Sequence, residues 1–218
     1  METTRLFAPL WQQLWWVFPL LIGVALLQSP CFKGLLGEWQ VKTKARRKLP
    51  ADTYHAFHDV TLVDDTGSTQ IDHLFVSPYG LFVVETKNYK GWIFGSAHSA
   101  QWTQTTGRYK HRFQNPLRQN YRHTMALSQL LGIGHEHIHS LIVFTGDAQF
   151  KTPLPNNVCT LSHFDRYILG FRDVIWSAQE VQHICQAIAA KRLAQGRATN
   201  AAHRQHLRQR HGRGRPNA

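Results

Sequence analysis

The segment that most restricts how this chain can fold runs from Thr69 to Gly91 and reads TQIDHLFVSPYGLFVVETKNYKG. It contains two apolar runs of strand length joined by the turn residues Ser-Pro-Tyr-Gly, which predicts an antiparallel hairpin. Both strands belong in a core, yet the first carries Asp72 and the second carries Glu85 and Lys87. Buried charges are costly unless they are paired or bind a metal, so these positions call for a chemical explanation.

Side chains alternate along a strand, and a hairpin can therefore bring Asp72 and Glu85 side by side with Lys87 one step further along. Two adjacent carboxylates repel each other, so one keeps its proton unless a cation is present. Mg²⁺, or Mn²⁺ in its place, needs only one or two protein carboxylates when a phosphate supplies further ligands. A lysine beside such a site would orient water and offset charge on the phosphate. The pattern predicts phosphodiester hydrolysis.

Hydrophobic periodicity and turn residues divide the rest of the chain into helices and strands. The predicted strands are His58–Val63, Thr69–Ser77, Leu81–Thr86 and Ser140–Phe144, with a short edge strand in Gly91–Gly95. The predicted helices are Gly34–Lys48, Asn115–Leu131 and Asp173–Leu193, the last with apolar anchors at Val174, Val181, Ile184, Ile188 and Leu193. The order helix, antiparallel strands, helix, strand, helix indicates an α/β protein.

The N-terminal region contains an apolar run from Leu10 to Leu27 whose only polar side chains are Gln12 and Gln13. Its length is close to the roughly 20 residues of a transmembrane helix, and tryptophans cluster near its start, as they do at membrane interfaces. One basic residue precedes the run and six follow it before Leu49. By the positive-inside rule, we expect a single-pass inner-membrane anchor with the remaining chain in the cytoplasm.

Cysteine usage agrees with a cytoplasmic location. Cys31, Cys159 and Cys185 are widely spaced, odd in number and form no CxxC pair, which is typical of reduced thiols. A cleaved signal peptide, a lipoprotein signal ending at Cys31 and a buried helix of a soluble protein remain alternatives to the anchor.

The basic charge is concentrated near the C-terminus. Residues 191–218 hold 8 of the 25 lysines and arginines and no acid, so the rest of the chain is only mildly basic. After Gly196 the chain lacks aliphatic periodicity, and a disordered tail is predicted there. Its charge would bind phosphate backbone or anionic lipid, or serve only solubility.

The ordered motifs between residues 34 and 150 resemble those of a known family. An acid, a second acid and an acid-x-lysine triplet resemble the signature of the PD-(D/E)xK nuclease superfamily; they are Glu38, Asp72, Glu85, Thr86 and Lys87. The longer series TQIDH, ETKNY and NPLRQ is similar to the nuclease-related domain called NERD. Ile71 stands where the superfamily name places proline.

This resemblance implies a restriction-endonuclease-like core, in which a mixed sheet is flanked by helices, and a nuclease that acts on DNA with Mg²⁺. It implies that Asp72, Glu85 and the Thr86 carbonyl hold the metal and that Lys87 serves the attacking water. It also implies that Glu38 supports the metal site from the first helix.

Each of these residues also has a structural interpretation. The two strand acids and the lysine would form a cross-strand salt bridge, and Glu38 would complement a helix dipole. Gln119 and Asn115 are candidate substrate contacts, but an amide at the start of a helix is also a common hydrogen-bond partner or N-cap.

Aromatic and histidine residues provide weaker signals. The aromatic residues near the motifs would stack on bases or fill the core; they are Trp92, Trp102 and Phe113. The alternating histidines of GHEHIHS match no zinc spacing, so no zinc site is expected.

We therefore expect an anchor over residues 1–33, a nuclease-like domain over 34–195 and a basic tail over 196–218. The expected function is that of a membrane-anchored, Mg²⁺-dependent nuclease. The alternative is a catalytically silent module of the same fold that binds nucleic acid or a protein partner at the membrane.

Overall fold

The computed structural model describes residues 15–64 and 67–193, which form nine strands and five α-helices. The strands are β1 (His55–Asp64), β2 (Gly67–Ser77), β3 (Gly80–Lys87), β4 (Gly91–Phe94), β5 (Gln101–Thr106), β6 (Tyr109–Gln114), β7 (Ile138–Phe144), β8 (Ala148–Phe150) and β9 (Val158–Thr160). The helices are α1 (Val17–Gln28), α2 (Pro30–Lys48), α3 (Pro116–Leu131), α4 (Phe164–Ile168) and α5 (Ala178–Lys191). The predicted basic tail lies outside the described residues.

A five-stranded mixed sheet in the order β1-β2-β3-β7-β9 forms the centre of the fold. β1 pairs with β2 and β2 pairs with β3 in antiparallel fashion, which confirms both predicted hairpins. β7 runs parallel to β3, and β9 runs parallel to β7. β3 therefore lies between the antiparallel and the parallel halves of the sheet.

Helices cover both faces of this sheet, because alternate strand residues are apolar on both sides. One face packs on α3 and α5 through Leu74, Val83, Leu127 and Val181. The other face packs on α2 and α4 through Phe75, Phe82, Val41 and Phe164. This arrangement confirms the α/β class with a mixed sheet between helices.

A second, four-stranded sheet in the order β6-β5-β4-β8 follows the central one. Its inner face packs on the end of β7, where Trp102 stacks on Phe144 and Phe113 packs against Trp102. The short strand predicted at Gly91–Gly95 is confirmed as β4, but the prediction that it lies at a sheet edge was wrong, since β4 lies between β5 and β8. The sequence offered little sign of β5 and β6, because their exposed positions are almost entirely polar.

Two predicted helices have different boundaries in the structure. α2 begins at Pro30, with Ser29 as its N-cap, so Glu38 lies well inside the helix rather than in its first turn. α5 begins at Ala178 after a capping box formed by Ser177 and Glu180. Val174 and Leu193 lie outside this helix and are 70% and 41% exposed, so the prediction that they anchor it was wrong.

None of the described helices is long and apolar enough to span a membrane alone. α1 and α2 meet the length and composition requirement only together, and the pair is bent by 59° at Ser29. α1 contains no buried residue. The predicted span Leu10–Leu27 is therefore not confirmed as a single helix, and its residues 10–14 lie outside the described part of the chain.

Close approach of α2 to the end of β3 depends on Gly37. A Cβ atom at this position would lie 2.7 Å from Thr145 Oγ1, 3.0 Å from Asn88 Cβ and 3.3 Å from Thr86 Cγ2. The missing side chain therefore allows α2 to pack directly against β3 and places Glu38 beside the end of that strand. Gly34, one turn earlier on α2, has no atom within 4 Å of the same position.

We predict that Gly37→Ala destabilises the fold by about 1–3 kcal/mol, because the neighbouring side chains would have to move. Gly34→Ala is the matched control and should be neutral or stabilising by up to about 1 kcal/mol, since alanine favours the helix. Denaturation midpoints of the purified chain in detergent measure both effects. Equal stability of the two variants would show that α2 is not held against β3 at Gly37.

Candidate active site

Asp72 and Glu85 are neighbours on β2 and β3. The strands are paired at His73 with Val84 and at Leu74 with Val83, and one further step of this register places Asp72 opposite Glu85. The Thr86 N–H donates to Asp72 Oδ2 at 2.8 Å. By strand alternation, both carboxylates lie on the sheet face that packs against α3.

Lys87 joins this pair from the next position on the same face. Its Nζ donates to Glu85 Oε1 at 2.6 Å and to Gln119 Oε1 on α3 at 3.0 Å. The Lys87 side chain is 18% exposed, whereas that of Glu85 is only 4% exposed. Lys87 is therefore held in place by two acceptors while part of its side chain remains accessible.

The start of α3 is fixed to the two sheets by asparagine side chains. Asn115 Oδ1 caps the helix by accepting from Leu117 N at 2.9 Å, and its Nδ2 donates to backbone carbonyls of the preceding loop. Asn120 Nδ2 donates to Val83 O at 2.9 Å and to Ser140 Oγ at 2.8 Å. These bonds set the height of α3 above β3, so that Gln119 reaches Lys87.

The predicted substrate contact at Asn115 is not consistent with this position. Asn115 is fully buried, and its side-chain hydrogen bonds all go to the backbone of its own cap and loop. It therefore positions the helix. Gln119, in contrast, belongs to the site through Lys87.

His123 is a site residue that the sequence alone did not identify. Its Nδ1 is 2.6 Å from Thr69 Oγ1, and its Nε2 is 3.4 Å from Glu85 Oε2 without hydrogen-bond geometry. The available signal was its spacing, because His123 lies four residues after Gln119 and thus on the same face of the helix. His123 and Lys87 therefore contact Glu85 at different oxygens.

Electrostatics separate the roles of the two carboxyl groups. Burial and the nearby Glu85 charge raise the pKa of Asp72 well above its usual value. Burial would also raise the pKa of Glu85, but Lys87 and His123 outweigh this effect and lower it. Burial would lower the pKa of Lys87, and the Glu85 carboxylate instead raises it. Glu85 and Lys87 are thus a charged pair at neutral pH, with Asp72 inclined to hold a proton.

Glu38 interacts electrostatically with the site. Burial, Asp59 and Glu85, in that order, raise the pKa of Glu38 to about 7. Asp59 was not singled out from the sequence. It lies on β1 between the pairs His58–His73 and Val60–Ile71, which places it beside Asp72 across the sheet. Its φ of 52° is the one positive value among the described non-glycine residues. Glu38 therefore interacts with the charges of acids on both β1 and β3.

The arrangement fits an open magnesium or manganese site. The described residues contain no group of three or more His, Cys, Asp or Glu side chains with the geometry of a complete metal site, but Mg²⁺ requires only one or two carboxylates when a phosphate contributes. Glu85 Oε2 is buried and accepts no hydrogen bond, although His123 Nε2 lies 3.4 Å away, so it has lone pairs that could bind a cation. The N–H and C=O of a strand residue point the same way, so the Thr86 carbonyl faces the side of Asp72.

The histidines of the GHEHIHS segment lie in two different elements and make separate contacts. His135 and His137 lie in a 3-10 turn, and His139 lies on β7. His135 Nε2 is 2.9 Å from Thr124 Oγ1, and His139 Nε2 is 3.1 Å from the Tyr79 carbonyl. These separate contacts give the histidines structural roles.

We predict that Glu38→Gln stabilises the fold only at higher pH. Because the folded-state pKa of Glu38 is raised from 4.5 to about 7, ionisation of its carboxyl group destabilises the fold. This cost is absent below about pH 4.5, grows between pH 4.5 and 7, and stays constant above that range. The stability difference between variant and parent should follow this profile in denaturation series from pH 4 to 8. Glu136→Gln, at a side chain that is 73% exposed, is the matched control. A gain that is equal at every pH would contradict the raised pKa.

The chain is similar to known proteins over the region that holds this site. The sequence profile of the nuclease-related domain, NERD, matches residues 33–145. This range includes the acidic residues of the candidate site together with Lys87 and Gln119. An uncharacterized protein of Bacillus anthracis is 38% identical over 164 residues, which are 73% of this chain and 76% of that protein. No solved structure gives a significant match. The chain therefore belongs to the NERD family of nuclease-related domains.

Proposed function

We propose that this protein is a metal-dependent nuclease that hydrolyses phosphodiester bonds, with DNA as its substrate. The observation that carries the proposal is the contact set of Glu85, whose Oε1 binds the Lys87 ammonium while the buried Oε2 is left without a hydrogen-bond partner. Asp72 lies beside it on the neighbouring strand. A buried carboxylate oxygen without a hydrogen-bond partner calls for an explanation, and a bound cation would supply one.

Lys87 acts as a cation in this proposal. Its raised pKa keeps it protonated, so it cannot remove a proton from water. The ammonium instead donates hydrogen bonds and offsets the charge that develops on the phosphate in the transition state. Glu85 and Gln119 hold Nζ in place for this purpose.

Glu38 is the chain's best candidate for accepting the proton of the attacking water. A pKa near 7 allows a carboxylate to accept and return protons at neutral pH. His123 lies beside the other oxygen of Glu85 and is held there by its contact with Thr69. Mg²⁺ held by Asp72, Glu85 and the Thr86 carbonyl would polarise the phosphoryl oxygen and supply positive charge.

The charge of the chain supports a nucleic-acid substrate. The formal net charge is +12, and a basic protein attracts the phosphate backbone in a salt-dependent manner. The choice of DNA rests on the family resemblance. The silent alternative, in which the domain binds without cutting, predicts unchanged substrate after incubation with metal.

We predict that Asp72→Asn and Glu85→Gln each lower Mg²⁺-dependent cleavage at least about 100-fold, because both remove a charged metal ligand. The amide introduced by Asp72→Asn would keep an acceptor for the Thr86 N–H, so this variant should fold normally. Cleavage of labelled single- and double-stranded DNA and RNA, with Mg²⁺ or EDTA, measures the effect. Asp52→Asn, at an exposed loop position, is the control and should cut like the parent.

The Lys87→Ala variant separates metal binding from turnover in the same experiment. It should retain metal binding and lose about 100-fold or more in turnover if the ammonium acts in the transition state. Unchanged cleavage by the Asp72 and Glu85 variants would contradict the assignment of the site. No metal-dependent cleavage by the parent would favour the silent alternative.

We further propose that the N-terminal region anchors the protein in the inner membrane and leaves the domain in the cytoplasm. The support is the exposed apolar helix α1 followed by three basic residues in the last turn of α2, because positive charge marks the cytoplasmic side. In that compartment the domain would meet DNA and Mg²⁺ together.

Reporter fusions at the C-terminus test this topology. A fluorescent protein should light the cell rim, and alkaline phosphatase, which is active only in the periplasm, should be silent. The opposite pattern would place the domain outside the cytoplasm, and a diffuse fluorescent signal would rule out the anchor.

A further inference from the structure

A second surface lies on the outer face of the four-stranded sheet. A groove of about 730 Å³ runs across β4, β5 and β6. The residues that line this groove are Trp92, Phe94, Thr103, Thr105, Lys110 and Arg112. We call this surface the outer groove.

The strand register arranges these residues in two parallel rows. Trp92 pairs with Thr105, which pairs with Lys110. Phe94 pairs with Thr103, which pairs with Arg112 in the same way. Each row therefore reads aromatic ring, hydroxyl and cation across the three strands, and the two rows are about 6.8 Å apart along the strands.

The aromatic rings of the outer groove are not used by the core. Trp92 is 49% and Phe94 37% exposed, whereas Trp102 and Phe113 of the same sheet are buried against the central one. The aromatic residues predicted either to stack on bases or to fill the core therefore lie on different faces of the sheet. Trp102 and Phe113 fill the core, and Trp92 is exposed. Lys151 Nζ lies 5.0 Å from the centroid of the Trp92 ring, which adds a further cation at this edge of the groove.

The chemistry of the outer groove matches an anionic ligand that carries flat rings. Its lining combines two aromatic rings, two hydroxyls and two cations with no carboxylate among them. Bases stack on exposed aromatic side chains, and lysine and arginine neutralise the backbone phosphates between those bases. Four-stranded sheets with exposed aromatics on neighbouring positions bind two or three bases of single-stranded RNA in this manner.

We propose that the outer groove binds a single-stranded stretch of nucleic acid, with bases stacked on Trp92 and Phe94 and phosphates on Lys110 and Arg112. The bases of a duplex are stacked on each other, so the rings select unpaired strands. The proposal rests on the proposed nuclease function, and it specifies the form of the substrate.

The outer groove is also close in sequence to the candidate active site. β3 ends at Lys87, and β4 begins four residues later at Gly91, a connection that spans at most about 14 Å. Trp92 follows Gly91, so its backbone lies within about 17 Å of the Lys87 backbone. The outer groove would determine which substrates reach the carboxylates.

Binding is measured with the full chain in detergent, in EDTA, by fluorescence anisotropy of labelled single-stranded and duplex oligonucleotides. The double variant Trp92→Ala/Phe94→Ala should bind single strands at least about 10-fold more weakly, given the strength of base stacking on aromatics. Its affinity for duplex should stay within about twofold, because the tail and other cations are intact. Trp92→Phe, which keeps a ring, should retain most of the single-strand affinity.

Tyr109→Ala is the aromatic control, since Tyr109 is 83% exposed and does not line the outer groove. The charge variant Lys110→Ala/Arg112→Ala should reduce the salt slope of single-strand binding by about 1.4, at about 0.7 per phosphate. Arg166→Ala/Arg172→Ala removes two exposed cations elsewhere and should leave the slope unchanged.

Crosslinking locates the contact directly. An oligonucleotide with 5-iodouracil should crosslink to peptides that contain Trp92 or Phe94. Crosslinks only elsewhere, or unchanged single-strand affinity of the Trp92→Ala/Phe94→Ala variant, would overturn the proposal. Loss of binding to anionic vesicles in that variant, with oligonucleotide affinity retained, would assign the groove to a lipid surface instead. All of these readings are made without cleavage, so they are independent of the test of catalysis.

Discussion

The structure depends on two carboxyl groups held side by side at the end of a buried hairpin. Asp72 and Glu85 occupy positions that strand periodicity would give to the core, and each would be costly there alone. Lys87 and His123 stabilise the Glu85 charge from two directions, while the Asp72 side chain accepts the Thr86 amide. Glu85 Oε2 lies 3.4 Å from His123 Nε2 and accepts no hydrogen bond within the described protein.

The layers of the fold explain how these groups are held. Asn120 ties α3 to β3 and β7, which brings Gln119 and His123 over the strand end. On the opposite face, Gly37 lets α2 approach β3 closely enough to place Glu38 near the same carboxylates. The site therefore lies where both helical layers meet the strand between the antiparallel and parallel halves of the sheet. The small sheet follows directly from this strand and extends the surface beyond the site.

The part of the site that lies within one hairpin was predictable from the sequence. Side chains alternate between the two faces of a strand, and a short turn joins these two strands. These two features are enough to place Asp72 beside Glu85, with Lys87 on the same face. His123 and Asp59 were not predictable, because the first depends on how α3 is rotated over the sheet and the second on a local irregularity of β1. The apolar residue Val174 led to a predicted start of α5 that was too early, because the capping box at Ser177 begins the helix after Val174. β5 and β6 were missed because burial of Trp102 and Phe113 depends on packing against β7.

The central claim is that Asp72 and Glu85 bind a divalent cation, and anomalous diffraction tests it most directly. Crystals of the protein soaked in Mn²⁺ would be measured at the manganese absorption edge. We expect one anomalous peak at about 2.1 Å from a carboxylate oxygen of each residue, with Glu85 contributing Oε2. An empty site in crystals that bind manganese elsewhere, with the Glu85–Lys87 ion pair unchanged, would contradict the account.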